Sequence, residues 1–289
     1  MAEAQVGVIG GSGLYEIDGL SEVREISLET PFGHPSDNIV LGTLAGVKVA
    51  FLPRHGRGHY ISPSELPARA NIWALKSLGV THILSISAVG SLREHLAPRD
   101  VVIPDQILDR TKGVRPATFF GEGIVVHISF AEPYCPELRK IVYDAAVKVG
   151  AKVHDGGTMV VMEGPQFSTK AESHFYRQIG GDIIGMTALP EAKLAREAEI
   201  CYCTVAMVTD YDCWHEAEEP VTVEMVVNNL LANVDTAKAI IKKALPQIAT
   251  AERECECAHA LENAIITRPE AIPPERRAVL EPLIGKYLS

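Results

Sequence analysis

Seven short apolar runs constrain the fold more than any other feature of this 289-residue chain: QVGVIG, VKVAFLP, THILSIS, DVVIPDQ, TMVVMEG, DIIGMT and CYCTVAMVTD. Each is rich in β-branched residues and bounded by Gly, Pro or Asp, the signature of a strand. Most are apolar at consecutive positions, as expected of strands covered on both faces by helices. Between them PSELPARANIWALKSLG, CPELRKIVYDAAVKVG, KAESHFYRQIGG and PEAKLAREAEI carry apolar residues at helical spacing. Ser64 and Pro136 stand near the starts of the first two, Gly79 and Gly150 near their ends. The prediction is an α/β chain with a mixed, mostly buried central β-sheet flanked by helices.

From Val223 to Ile248 apolar residues recur every three or four positions, predicting a long amphipathic helix that ends near Pro246. Beyond it the chain turns charged and proline-rich, with one last amphipathic piece, RRAVLEPLIGKYL. One domain over residues 1–250 is therefore expected, followed by a helical or irregular tail over residues 251–289 packed on that domain or at a subunit contact.

Lys and Arg total 27 against 37 Asp and Glu, a formal net charge of −10, the wrong sign for a nucleic-acid binder. The start, MAEAQVGVIGG, lacks a basic stretch followed by a long apolar one, and no run reaches the roughly 18–20 apolar residues of a membrane helix. A cytoplasmic protein without membrane or nucleic-acid partners is expected. The six cysteines are too few for a disulfide-built scaffold, and their CxC spacing differs from the CxxC zinc pattern. Reduced thiols are the default. Cys255 and Cys257 can alternatively form a strained bridge, or pair with Cys201 and Cys203.

Several strand ends carry polar or small residues suited to an anion. GVIGG runs into Ser12 and Gly13, either a tight structural turn or a cradle of backbone N–H groups and one hydroxyl. The glycine spacing is not that of a dinucleotide fold, and DGLSEVREISLE is a poor helix to follow it. VAFLP is followed by Arg54, His55, Arg57 and His59, with Arg54 and His55 at the strand's end, where α/β proteins place ligand groups. The guanidinium of Arg54 offers a fork matched to phosphate oxygens. Gly56 and Gly58 argue against a helical metal-binding pair of His55 and His59, and no metal is expected. HILSIS leads to Ser87, Ala88 and Gly90, and DIIGMT ends in Met186 and Thr187.

Together GGSGLY, TPFGHPSD, RHGRGH, ANIWALK, SAVGSLR, EGPQFST and TDYDCW give the chain its kinship. From about Val6 to about Ile248 it resembles the S-methyl-5′-thioadenosine phosphorylase branch of the trimeric purine nucleoside phosphorylase superfamily. The resemblance implies a single-domain phosphorylase/hydrolase-like fold and phosphorolysis of methylthioadenosine to adenine and 5-methylthioribose 1-phosphate, with broader action on adenosine or inosine-type nucleosides as the alternative. Inorganic phosphate is then a co-substrate, no cofactor is needed, and the assembly is a homotrimer or a dimer of trimers. Carried over, the phosphate site falls on Ser12, Arg54, His55, Ser87, Ala88 and Thr187. Met186 lies under the ribose, Phe167 faces the base, and Ser168 and Val223 set specificity. Val223, Val226 and His59 surround the methylthio group, with His127 reaching in from a neighbouring subunit. Gly185 departs from the pattern, since many adenine-cleaving members carry Asn there.

TDYDCW supplies the chemistry. Residues i and i+2 of a strand share a face, so Asp210 and Asp212 are expected to meet one edge of a purine. Adenine presents the acceptor N7 beside the donor N6 amino group. Asp212, ionised, would accept from N6, and Asp210, protonated, would donate to N7 as the C1′–N9 bond breaks. Burial and a like-charged neighbour both raise a carboxyl pKa, as this role requires.

Overall fold

The structure, a computed structural model, describes residues 2–14, 16–215 and 223–288. The side chains of Ser12, Val223, Met225, Val226 and Leu230 fall outside the described residues, and with them the expected roles of Ser12, Val223 and Val226. In chain order the strands are β1 (Val6–Gly10), β2 (Ser21–Ile26), β3 (Ile39–Leu44), β4 (Val47–Pro53), β5 (His82–Ser91), β6 (Val101–Ile103), β7 (Gln106–Arg110), β8 (Val153–Asp155), β9 (Thr158–Met162), β10 (Ile183–Gly185) and β11 (Cys201–Asp210). The helices are α1 (Ala68–Ser77), α2 (Pro136–Lys148), α3 (Lys170–Gln178), α4 (Ala188–Glu197), α5 (Val223–Thr250) and α6 (Pro274–Ile284).

β1 lies between β4 and β5 and runs parallel to both. β5 is the fork of the sheet: it pairs in parallel with β11 and, at its far end, antiparallel with β10. Successive residues of a strand face opposite ways, and the central strands use both faces. Ile9, Leu52 and Ile83 pack with Ile72 and Leu75 of α1 and Leu194 of α4. Their neighbours Val8, Phe51 and Leu84 pack with Leu138 of α2 and Ile241 and Leu245 of α5. Burying each such side chain contributes roughly 1.5–3 kcal/mol, which is why these runs are apolar at consecutive positions.

Several elements differ from the sequence expectation. DVVIPDQ forms two strands, because Pro104 offers no N–H to a ladder; β6 pairs with β11 and β8, and β7 pairs with β9. The polar stretch after GGSG contains β2, an exposed edge strand whose Glu22, Arg24 and Glu25 conceal it from hydrophobic patterning. α1 begins at Ala68, so Ser64 lies in a separate short turn. α5 passes through Pro246 to Thr250, held by the fully buried Leu245 and Ile248 on either side.

The tail packs on its own domain. Leu261, Ile272, Leu280 and Leu283 join the apolar cluster under α1 and α4. Val126 bridges to Ile265, and the N–H of His127 donates to the Ala264 carbonyl at 2.9 Å. Among the described residues no helix is long and apolar enough to cross a membrane.

Candidate active site

Because β1, β4, β5 and β11 are parallel, their C-terminal ends open at one edge of the sheet, and a cavity of about 460 Å³ lies there. Gly10, Gly11 and Gly13 line it beside Arg54, His55, Ser87, Ala88 and Thr187, so the described members of the expected anion set come together. His59, Phe167, Ser168, Met186, Asp210 and Asp212 line the same cavity. His127 does not line its own chain's cavity; it lies where residues 126–127 meet the tail.

The geometry of Arg54 corrects one expectation. Its Nε donates to Glu191 Oε1 at 2.5 Å, and Nη2 donates to Glu191 Oε2 at 3.2 Å and Ser85 Oγ at 2.6 Å, while Nη1 donates to the Ile86 carbonyl at 2.9 Å. The fork faces a carboxylate of the protein, and one of the five guanidinium N–H groups remains for a ligand. Burial opposes the charge of Arg54, but Glu191 outweighs it and raises the pKa further. Glu191 also accepts from Ser85 and Tyr202, so a buried network holds Arg54 in place beside the cavity.

His55 Nδ1 lies 2.8 Å from the Ile61 carbonyl, which only accepts, so Nδ1 carries the proton. Burial first, and the charge of Arg54 second, pull its pKa down to about 4. The ring is neutral at pH 7, stacks on His59 at 4.3 Å, and has a lone pair on Nε2 to offer. The hydroxyls of Ser87 and Thr187 sit 3.2 Å apart.

Met186 is fixed through its backbone. Arg115 donates to the Met186 carbonyl at 2.5 Å and to the Leu189 carbonyl at 2.8 Å, and is itself paired with Glu163 at 2.9 Å. Gly164 is required beside it: its φ is +70°, and a Cβ there would lie 2.5 Å from the Met186 sulfur. At Gly185 a Cβ would meet Met159 Cε at 2.6 Å, so Met159 takes up space that an Asn would need.

Asp210 and Asp212 meet the cavity together, but strand alternation does not bring them there. Val208 pairs with Val89 and Asp210 with Gly90, which leaves Thr209 as a bulge. Such a bulge re-aims the residue after it. Asp212 lies beyond β11 with φ +51°, a left-handed turn that directs its N–H onto Asp210 Oδ1 at 2.8 Å. Trp214 Nε1 donates to the Ser91 carbonyl at 2.7 Å and anchors the turn. Gly90 permits the close approach, since a Cβ would lie 2.9 Å from Asp210 Oδ1.

Burial raises the pKa of Asp210; the Thr209 hydroxyl and the Asp212 N–H oppose this, and the charge of Asp212 adds to it. Burial also raises Asp212, with partial relief from the Ser173 and Ser168 hydroxyls. By geometry the buried Asp212 Oδ2 makes no hydrogen bond among the described residues, nor does the buried Ser173 Oγ, while Ser168 Oγ donates to Met162 Sδ, so those hydroxyls ease the charge only at a distance. An unsatisfied carboxylate oxygen at a cavity wall is costly unless a ligand donor completes it.

Sequence reasoning missed Glu191, Arg115, Glu163, Asn229 and Asn233. The last two project from α5 onto β11, where they donate to the Thr209 carbonyl at 2.7 Å and the Val208 carbonyl at 3.2 Å. EGPQF contained Glu163, but its partner Arg115 lies 48 positions earlier in the chain.

The family model of the phosphorylase superfamily matches residues 5–246. S-methyl-5′-thioadenosine phosphorylase of Chloroflexus aurantiacus is 58% identical over 290 residues, covering all of both chains, and that of Geobacter sulfurreducens is 56% identical, covering 99% of this chain and 100% of its own. A crystal structure of a methylthioadenosine phosphorylase from an Antarctic soil metagenomic library superimposes with a TM-score of 0.94 at 51% identity, covering 98% of this chain and 99% of that one. A variant adenosine/methylthioadenosine phosphorylase from Schistosoma mansoni, solved with methylthioadenosine, gives 0.83 at 38% identity, covering 90% of this chain and 96% of the other. With the family model matched over most of its length and relatives matched from end to end, the chain belongs to the S-methyl-5′-thioadenosine phosphorylase family of the phosphorylase superfamily.

Proposed function

We infer that this protein is a phosphorylase that converts S-methyl-5′-thioadenosine and phosphate into adenine and 5-methylthioribose 1-phosphate. The observation that carries the base assignment is the unpartnered, buried Asp212 Oδ2 beside Asp210. The N6 amino group of adenine supplies the donor it lacks, and Asp210 supplies a proton for N7.

A phosphate oxygen attacks C1′, the C1′–N9 bond breaks, and its electron pair enters the purine, which takes up the Asp210 proton at N7. Ser87, Thr187, the backbone at Ala88 and the free N–H of Arg54 hold the phosphate, which balances the developing positive charge on the sugar. The Nε2 lone pair of neutral His55 accepts a phosphate hydroxyl. The Met186 carbonyl is fixed by Arg115, so the side chain is held where the ribose would rest. No metal or organic cofactor enters this scheme.

The methylthio group is assigned to the part of the cavity lined by His59 and Leu231, with Phe167 left to the base. A hydrophobic pocket rejects an added hydroxyl only weakly, so adenosine is a slower substrate of the same site. The same reading makes the enzyme a cytoplasmic homotrimer in which His127 serves a neighbouring cavity; sedimentation of the purified protein checks the assembly. The deciding experiment is product analysis with methylthioadenosine, with and without phosphate. Adenine and the sugar phosphate in equal amounts are expected, and turnover without phosphate would show a hydrolase.

A further inference from the structure

Away from the cavity, Cys135, Cys201, Cys255 and Cys257 bring their sulfur atoms to within 4.8 Å of one another, and all four are buried. They come from three separate segments. Cys135 caps the N-terminus of α2, Cys201 begins β11, and Cys255 and Cys257 lie at the start of the tail. We propose that these four thiols form a tetrathiolate site for a zinc ion, which pins the tail to the phosphorylase domain.

Zinc binds thiolate sulfur at about 2.3 Å in a tetrahedron, so the sulfurs stand about 3.8 Å apart. The four sulfurs converge to that scale, with Cys201 and Cys255 at 3.4 Å, whereas thiols acting only as small apolar groups have no reason to meet at one point. A multi-iron cluster would need a wider spread of ligands. All four thiols are unbridged.

The surroundings suit bound thiolates. The Leu138 N–H donates to Cys135 Sγ at 3.4 Å at a helix N-terminus, where negative charge on sulfur is stabilised. Zinc with four thiolates is net negative, and two guanidinium groups lie in the same sequence neighbourhoods. Arg253, two residues before Cys255, has a buried Nε–H without a partner among the described residues, and Arg196 is buried on α4 shortly before β11. Cys203, which the sequence paired with Cys201, is outside the cluster, because two strand residues advance the chain by roughly 6.6 Å. The CxC spacing hid the site, since half of its ligands are distant in sequence.

Such a site would tie the tail to α2 and β11 and add to the packing of Leu261 and Leu280. Metal binding of this kind contributes directly to folding stability. The test is zinc titration and metal analysis of the reduced wild-type protein, alongside Cys255→Ser, Cys257→Ser and the control Cys203→Ala. About one zinc per chain is expected in wild type and control, with the metal lost from both serine variants and their thermal midpoints lowered. Cobalt should replace zinc in the wild type and give the visible absorption of tetrahedral cobalt thiolate, a readout independent of how well the variants fold. No zinc uptake by reduced wild type, zinc retained by both serine variants, iron in its place, or disulfides among these cysteines in protein isolated from a reducing cytoplasm would each overturn the proposal. Phosphorolysis by the wild type serves as a separate readout, so failure of the zinc site and failure of the assigned reaction are distinguishable.

Discussion

Thr209 Oγ1 lies 2.7 Å from Asp210 Oδ2 and 3.2 Å from the Val89 carbonyl, and it has one proton to give. With Asp210 ionised the hydroxyl donates to the carboxylate; with Asp210 protonated it can turn to Val89 and accept. The bulge at Thr209 thus gives the proposed acid a partner in both of its protonation states.

The charged form gains more from this hydrogen bond, so Thr209 holds the Asp210 pKa below the level that burial alone would set. The reaction needs protonated Asp210, and activity falls as pH rises through its pKa. Thr209→Val should therefore move the alkaline limb of kcat/KM to higher pH, measured at saturating phosphate. A limb that stays in place or moves to lower pH would contradict this account of the pair.

Asp210→Asn should slow adenine release by about 10²–10⁴, the usual worth of general acid catalysis. An amide still donates to N7 and brings no charge to O6, so methylthioinosine should gain on methylthioadenosine. Steady-state kinetics with both nucleosides decides the matter, and unchanged rates and preference would remove Asp210 from the mechanism.

Gly90→Ala places a methyl 2.9 Å from the present position of Asp210 Oδ1, so the carboxylate must shift. A displacement near 1 Å costs on the order of 10²-fold in rate. kcat should fall by about that factor with a smaller loss in the thermal midpoint, because the Asp210 carboxylate must move most, while Ile184 Cγ2 at 3.1 Å has to give by a few tenths of an ångström. An equal loss in folding stability would mean that the backbone moved instead.

Glu191→Ala leaves Arg54 buried without its counter-ion, at a cost of about 3–5 kcal/mol. Urea unfolding should show that loss. Phosphate should restore part of it, since the anion takes up the unpaired charge, and the phosphate-dependent stabilisation should exceed that of the wild type. A loss that phosphate does not touch would place Arg54 outside the anion site.

What the sequence by itself determined is local in origin. Consecutive apolar residues in VAFLP and CYCTVAMVTD required strands buried on both faces, and the polar residues at their ends, Arg54 and Asp210 among them, marked candidate ligand groups, which the parallel pairing of β1, β4, β5 and β11 then brought to one edge. Motif order then named the family. Only the tertiary structure decided how those groups act. Long-range partners set the electrostatics: Glu191, 137 positions from Arg54, takes its fork, and Asn233 reaches β11 from another element. One-residue geometry set the aim: the Thr209 bulge and the left-handed turn at Asp212, not strand alternation, bring the two acids together. Neither is visible in spacing, because ion pairs and register are settled by what the folded chain packs against, and the same holds for four cysteines that meet only when the tail closes on α2.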